Sequence, residues 1–203
     1  MTPLSPDGFA AATSVSRETL DRLETYAALL IRWQKRINLV GRSTLADPWR
    51  RHFLDSAQLF PLLPAGTQTL VDLGSGAGFP GLVLAILGVP QVTLVEADQR
   101  KAAFLRECAR VTGTPVTIRA ERIEAVPPSR ADVITARALA PVDTVLELSR
   151  PFRGPETVLL LLKGRLAEAE LTRLPADSTV RIARWPSATN AESTILRVTE
   201  SPL

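Results

Sequence analysis

Three alternate glycines, Gly74, Gly76 and Gly78, follow an apolar run (Leu70, Val71, Leu73), and Pro80 opens the segment after them. Strand, glycine turn and helix start, in that order, form the loop on which parallel α/β proteins hold an adenosine-containing cofactor. Glycine allows the tight turn and lets a ligand approach where a Cβ would collide. Pro80 is harmless in a first helical turn, where an N–H would find no intrahelical acceptor. Twenty residues beyond Gly76, a second apolar strand ends at Glu96, and a carboxylate there can accept from both hydroxyls of a ribose. The dinucleotide spacing G-x-G-x-x-G would require glycine where Phe79 stands. Asp72, just ahead of the glycines, would repel a pyrophosphate and attract a cationic amino acid moiety. S-adenosylmethionine carries a sulfonium and an ammonium and no phosphate, so it suits this loop better than a nicotinamide cofactor. A glycine turn with no ligand is the bland alternative.

In an open parallel sheet, ligands sit beyond the carboxyl ends of the strands. The Ile123-Glu124 pair follows the third expected strand and can reach an adenine with an apolar side chain and backbone groups. Arg137 ends the fourth strand and Lys163 the fifth. A charge closing an apolar run is costly unless it meets a ligand, a phosphate or an acid. For Lys163 the alternative is a lysine snorkelling at its strand end. His52, the sole histidine, stands in R-R-H-F-L-D-S. Acid–base use and plain packing beside Asp55 or Ser56 are both open to it. Asp55 and Ser56 either anchor neighbouring elements or touch substrate, and Asn38 sits where a helix cap is expected.

These residues need a scaffold, and 203 residues (22.0 kDa) with 45% hydrophobic content suffice for one α/β domain with an extension. Residues 1–15, rich in Thr, Ser, Ala and Pro, read as a flexible tail. From Ser16, Leu20, Leu23, Ala27, Leu30, Trp33 and Ile37 recur at helical spacing. Asp47-Pro48 then caps and opens a second helix carrying Trp49, Phe53, Ala57 and Phe60 on one face. Residues 16–64 thus form a helical extension ahead of a core spanning 65–203, the two making one compact unit. In the core, strands at Thr69–Leu73, Val92–Glu96, Val116–Arg119, Ala131–Ala136 and Thr157–Leu162 alternate with helices at Pro80–Leu87, Gln99–Thr112, Pro141–Ser149 and Ala167–Leu174. This alternation predicts a parallel sheet with right-handed crossovers. Two late strands, Thr179–Trp185 and Ser193–Val198, add an antiparallel hairpin at one edge, for seven strands in all.

No run of about 18 apolar residues occurs, and the start lacks a basic-then-apolar leader, so a soluble, unexported chain is expected. Cys108 stands alone, which excludes an internal disulfide and a cysteine metal cluster and fits a reducing cytoplasm; packing on a helix is its expected role. Net charge is only +3, yet Arg32, Lys35, Arg36, Arg42, Arg50 and Arg51 face a single acid, Asp47, a local net of +5. Such a concentration fits either a polyanionic partner or a solvated helix face.

The motifs W-Q-K-R-I-N-L (Trp33–Leu39), R-H-F-L-D-S (Arg51–Ser56), V-D-L-G-S-G-A-G-F-P-G (Val71–Gly81), F-L-R (Phe104–Arg106), A-R-A (Ala136–Ala138) and L-L-K-G (Leu161–Gly164) occur in this order. In order and spacing the chain resembles the RsmG (GidB) family, bacterial methyltransferases that modify guanine N7 in the 530 loop of 16S ribosomal RNA, at guanosine-527 in the usual numbering. The resemblance covers roughly residues 20–165 and implies a class I (Rossmann-like) methyltransferase, S-adenosylmethionine as methyl donor and 16S rRNA or the small ribosomal subunit as partner. It implies a cytoplasmic, monomeric enzyme with no membrane role. By position it implies that Gly74, Phe79, Ile123, Glu124 and Arg137 touch the cofactor. Arg137 and Lys163 then position base and backbone phosphate, and the RNA lies against Arg36, Arg42, Arg51 and His52. Two departures stand out: Val40 where the family commonly has threonine, which removes a polar contact, and Glu96 where it has aspartate, which keeps the chemistry. Guanine N7 carries an in-plane lone pair, so alignment rather than proton removal is the chemical task. A small-molecule methyltransferase and a non-catalytic RNA-binding module are the competing readings.

Overall fold

The computed structural model describes residues 2–175 and 180–200. Five apolar runs form the parallel part of the sheet: β1 (Thr69–Leu73), β2 (Gln91–Val95), β3 (Thr117–Arg119), β4 (Val133–Arg137) and β5 (Val158–Lys163). β6 (Val180–Pro186) and β7 (Thr194–Glu200) complete it in the order β3-β2-β1-β4-β5-β7-β6. The first five strands pair in parallel, whereas β7 runs antiparallel to both β5 and β6. The expected hairpin therefore enters with its second strand next to β5. Thr179, the expected start of β6, lies outside the described residues.

β1, β4 and β5 are buried on both faces, which is why they read as near-continuous Val/Ile/Leu runs. α4 (Gly81–Ile86), α5 (Gln99–Thr112), α6 (Val142–Ser149) and the short α7 (Ala167–Leu171) follow β1, β2, β4 and β5. Asp98 caps α5 by accepting the N–H groups of Arg100 and Lys101, and Gly113 ends it in the left-handed region at φ 60°. Cys108 is buried within α5.

The extension is built on α2 (Arg17–Gln34), capped by the Ser16 hydroxyl and presenting Leu20, Leu23, Tyr26, Ala27 and Leu30 inward. A π-helical turn, Trp49–Leu54, runs into α3 (Asp55–Ala57). Its wider winding shifts the inward face, so that Leu59 is enclosed while Phe60, expected on that face, is 41% exposed. Extension and sheet share one apolar core, in which Tyr26, Phe53, Phe79 and Phe104 meet.

The expected flexible tail is instead ordered. Residues Pro6–Thr13 form α1, with the Ser5 hydroxyl accepting the Gly8 N–H. Phe9 is fully buried against Trp49, at 5.4 Å between rings. The Leu4 N–H donates to Asp47 Oδ1, and Arg50 reaches the Thr2 carbonyl while pairing with Asp47 at 2.8 Å. One aromatic side chain and one carboxylate thus order a segment whose composition suggests disorder. Phe9→Ala should destabilise the protein by about 3–5 kcal/mol, as expected for truncating a buried phenylalanine. Denaturant unfolding measures it; a loss under about 1 kcal/mol would mean that α1 is not part of the cooperative core.

Candidate active site

The glycine turn is gripped from two directions. Gly74, Gly76 and Gly78 all have positive φ (66°, 58° and 96°). On one side Glu96, just beyond β2, accepts the Gly76 N–H at 2.7 Å through Oε2 and the Asp98 N–H at 2.8 Å through Oε1. On the other, the buried Tyr26 of α2 donates its hydroxyl to the Ala77 carbonyl and stacks on Phe79, 5.3 Å between rings and 14° between planes. Burial pushes the Tyr26 phenol well above its ordinary pKa, which secures the donor.

Two cavities meet at this turn. The smaller, 380 Å³, is lined by Glu96, Ile123, Glu124, Gly74 and Gly76. This brings the expected ribose and adenine contacts together. The larger, 690 Å³, opens between the extension and the carboxyl edge of the sheet, where Arg51, His52, Asp55, Phe79, Arg137 and Lys163 come together. Gly74, Gly76, Lys101, Ala138, Leu139 and Ala140 line both. A Cβ on Gly76 would meet nothing nearer than the Gly74 carbonyl at 3.9 Å, so that glycine fronts open space.

Two expected cofactor contacts serve packing instead. Asp72 is 1% exposed and lies behind the loop, where a Cβ on Gly81 would come within 2.5 Å of it. Its Oδ1 accepts the Thr135 hydroxyl at 2.7 Å, and Oδ2 has no hydrogen-bond partner among the described residues. Burial, opposed by the hydrogen bonds and by Arg137, raises its carboxyl to about 6. Gly78 likewise borders neither cavity; a Cβ there would come within 2.6 Å of the Tyr26 hydroxyl. Its glycine lets α2 seat on the loop.

On the side of the larger cavity, Arg137 lies over the face of Phe79, 5.1 Å from the ring centroid. It donates to His52 Nδ1 at 3.0 Å and to the Arg51 carbonyl at 3.3 Å, and pairs with Asp55 at 3.6 Å. It borders the larger cavity alone, away from the adenine-side residues. His52 is buried and stacked on Phe79, with rings 5.0 Å apart. Because Arg137 can only donate, His52 Nδ1 accepts, and Nε2–H donates to Thr44 Oγ1 at 2.7 Å. Burial, then Arg137 and Arg51, lower its pKa to about 3, so the ring is neutral and orients Arg137. Packing with a positioning duty is therefore what the geometry supports for His52.

Lys163 does not snorkel. Its ammonium is buried against Glu170 at 2.8 Å and the Ala140 carbonyl, while Glu170 also accepts the Val142 N–H. This pair fastens α7 to the β4–α6 loop. Within the basic stretch 32–51, Arg50 is paired, whereas Arg32, Lys35, Arg36, Arg42 and Arg51 are exposed and make no salt bridge among the described residues. Of these only Arg51 lines the cleft, so it is the exposed cation at its edge.

Sequence reasoning passed over four residues. Tyr26 shows only as one more apolar step of a helix. Gln34, rather than Asn38, terminates α2: its Oε1 accepts the N–H groups of Leu39 and Val40, and its Nε2 donates to the Val40 carbonyl. Val40 thereby needs no side-chain hydroxyl and lines the cleft with its apolar side chain. Gln58 and Thr189 lock the extension to the β6–β7 turn: Gln58 accepts the Ala188 N–H, and Thr189 donates to Asp55 Oδ1 at 2.6 Å. No local pattern marks either contact.

The family described as GidB, rRNA small subunit methyltransferase G, matches residues 19–194. The ribosomal RNA small subunit methyltransferase G of Rhodospirillum centenum is 58% identical over 192 residues, 95% of this chain and 89% of that protein. Among solved structures, the 16S rRNA methylase RmtB superposes with a TM-score of 0.60 at 16% identity, covering 92% of this chain and 76% of that one. A mutant of MtNAS in complex with S-adenosylmethionine gives 0.59 at 16% identity, covering 98% and 85%. The architecture is that of class I, Rossmann-like methyltransferases, with a mostly parallel seven-stranded sheet.

The two buried titratable groups pull stability in opposite directions with pH. His52 holds its proton less tightly when folded, at about 3 against 6.5, so stability falls as pH drops from about 6.5 toward 3. Asp72 is raised from 3.8 to about 6, so its contribution is present below about 3.8 and is lost as pH rises through 6. His52→Gln should flatten the acid side of the thermal-stability profile. Asp72→Asn should gain relative to wild type, on the order of 1–3 kcal/mol, as pH rises from about 4 to about 7. Melting curves at half-unit intervals check both; profiles parallel to wild type would refute the assigned burial.

Proposed function

The chain belongs to the rRNA small subunit methyltransferase G (GidB) family, and from that membership we propose that it transfers a methyl group from S-adenosylmethionine to guanine N7 in the 530 loop of 16S rRNA. The observation that carries this reading is the pair of cavities joined at the glycine turn, one with ribose and adenine chemistry, the other wide and basic. Glu96 would hold the ribose, Ile123 and the backbone beside Glu124 the adenine, and the wall at Gly74 and Gly76 the methionine portion. The open front of Gly76 and the carboxylate set beside it fit such a group. When bound, the cofactor supplies an electrophilic methyl on a sulfonium.

The protein's own task is alignment. An N7 lone pair needs no base to unmask it, so the site has no use for a proton acceptor, and neutral, buried His52 is in keeping with that. Reaction requires the lone pair, methyl carbon and sulfur nearly collinear, with reacting atoms about 3–3.5 Å apart. Arg137, fixed by His52, Arg51, Asp55 and Phe79, is the cation placed to position the base. Lys163 acts indirectly, by fastening the wall at Ala140. The exposed Arg36, Arg42 and Arg51 would steer and hold the phosphate backbone through counterion release. No helix among the described residues is long and apolar enough to cross a membrane, in keeping with a cytoplasmic site of action on the small subunit. We take the working unit to be the monomer.

Small subunits from cells lacking the protein, incubated with it and methyl-labelled S-adenosylmethionine, should gain one methyl at a single guanine. That guanine should then be cleavable by borohydride and aniline, as N7-methylguanine is. Glu96→Ala should lower kcat/KM by about tenfold or more, chiefly through KM for the cofactor. Label absent from rRNA, or found at another base atom, would overturn the reading.

A further inference from the structure

Asp55 occupies an unusual position in the larger cavity. Its side chain, 15% exposed, lines the cleft at the seam between the extension and the β6–β7 turn. Oδ1 is fully engaged, accepting from Thr189 Oγ1 at 2.6 Å and Gln58 Nε2 at 3.0 Å. Oδ2 accepts no hydrogen bond among the described residues. Its nearest cation, Arg137 Nη1, is 3.6 Å away, beyond hydrogen-bond length, and that guanidinium instead donates to His52 and the Arg51 carbonyl. A carboxylate pinned by one oxygen, with the other facing only the Arg137 charge at ion-pair distance, keeps acceptor capacity for donors from outside.

We propose that Asp55 reads the Watson–Crick edge of the target guanine, its Oδ2 accepting from both N1–H and the exocyclic N2 amino group. This deepens, and rests on, the guanine-N7 reading above. Guanine is the RNA base that presents two adjacent donors on that edge, and a carboxylate is the matching acceptor. The opposite, five-membered-ring side of the base then turns away from Asp55. Asp55 belongs to the extension wall, whereas Gly74 and Gly76 lie on the wall shared with the cofactor cavity. A base seated on Asp55 by its Watson–Crick edge is thus oriented with N7 toward the methyl donor. Arg137, beside Asp55, is placed to donate to O6. Accepting a hydrogen bond from N1–H, with the proton left on N1, also pushes electron density into the ring, which strengthens N7 as a nucleophile. The Thr189 and Gln58 bonds acquire a purpose in this scheme: they fix the rotamer of the reading carboxylate.

Inosine, which lacks only the N2 amino group, provides a test that needs no folding assumption. Small subunits reconstituted with rRNA carrying inosine at the target position should be methylated by the wild-type enzyme with kcat/KM about tenfold lower than guanosine subunits. Asp55→Asn can keep its amide oxygen on Thr189 and Gln58 while placing an NH2 donor where Oδ2 stood. It should lose activity on guanosine and treat guanosine and inosine alike, with unchanged affinity for S-adenosylhomocysteine. Equal wild-type rates on the two substrates would overturn the inference, as would an Asp55→Asn enzyme that keeps the wild-type preference or binds S-adenosylhomocysteine more weakly. Absence of any N7 product from wild-type enzyme on guanosine subunits would instead strike the underlying reading.

Discussion

The Tyr26 hydroxyl on the Ala77 carbonyl is the contact on which the rest of this structure turns. A glycine turn with three positive-φ residues is conformationally permissive, and permissiveness carries an entropic cost whenever a ligand must be met in one geometry. Two opposed hydrogen bonds remove that freedom: Tyr26 takes the Ala77 carbonyl and Glu96 the Gly76 N–H. Each partner comes from a different layer, one from the helical extension and one from the sheet. The extension therefore serves as the second jaw on the glycine turn as well as a basic surface.

A later segment of the extension lines the larger cavity. His52, Asp55 and Gln58 lie on consecutive turns, and each reaches a different part of the core: His52 contacts Phe79 and Arg137, Asp55 contacts Arg137 and Thr189, and Gln58 contacts the β6–β7 turn. Asp47 and α1 brace this segment from behind. Burying neutral His52 beside Arg137 leaves a guanidinium whose direction is set by an imidazole and a carbonyl, with its charge answered by Asp55. A site arranged in this way favours orientation over proton transfer.

Much of this was legible in the residues. Strands β1, β2, β4 and β5 were readable because each is an apolar run ending in glycine or charge, and the same ends mark Gly74, Glu96, Arg137 and Lys163. What pattern could not distinguish was which motif residues face the ligand. Asp72 and Gly78 carry the spacing of the glycine turn but pack behind it, against Thr135, Gly81 and Tyr26. The short N-terminal helix was hidden because its order comes from one distant ring contact and one distant carboxylate, neither visible in local composition. Gln34, Gln58 and Thr189 escaped for the same reason, since amide and hydroxyl side chains satisfy backbone or carboxylate groups that only the fold brings near.

The most direct test compares S-adenosylhomocysteine binding to wild type and Tyr26→Phe by calorimetry. The variant keeps the ring stack on Phe79 and leaves the Ala77 carbonyl buried without its donor, so affinity should fall by about tenfold while the far-ultraviolet circular dichroism is unchanged. Equal affinities in the two proteins, or no binding to wild type at all, would contradict a cofactor seat held between helix and sheet.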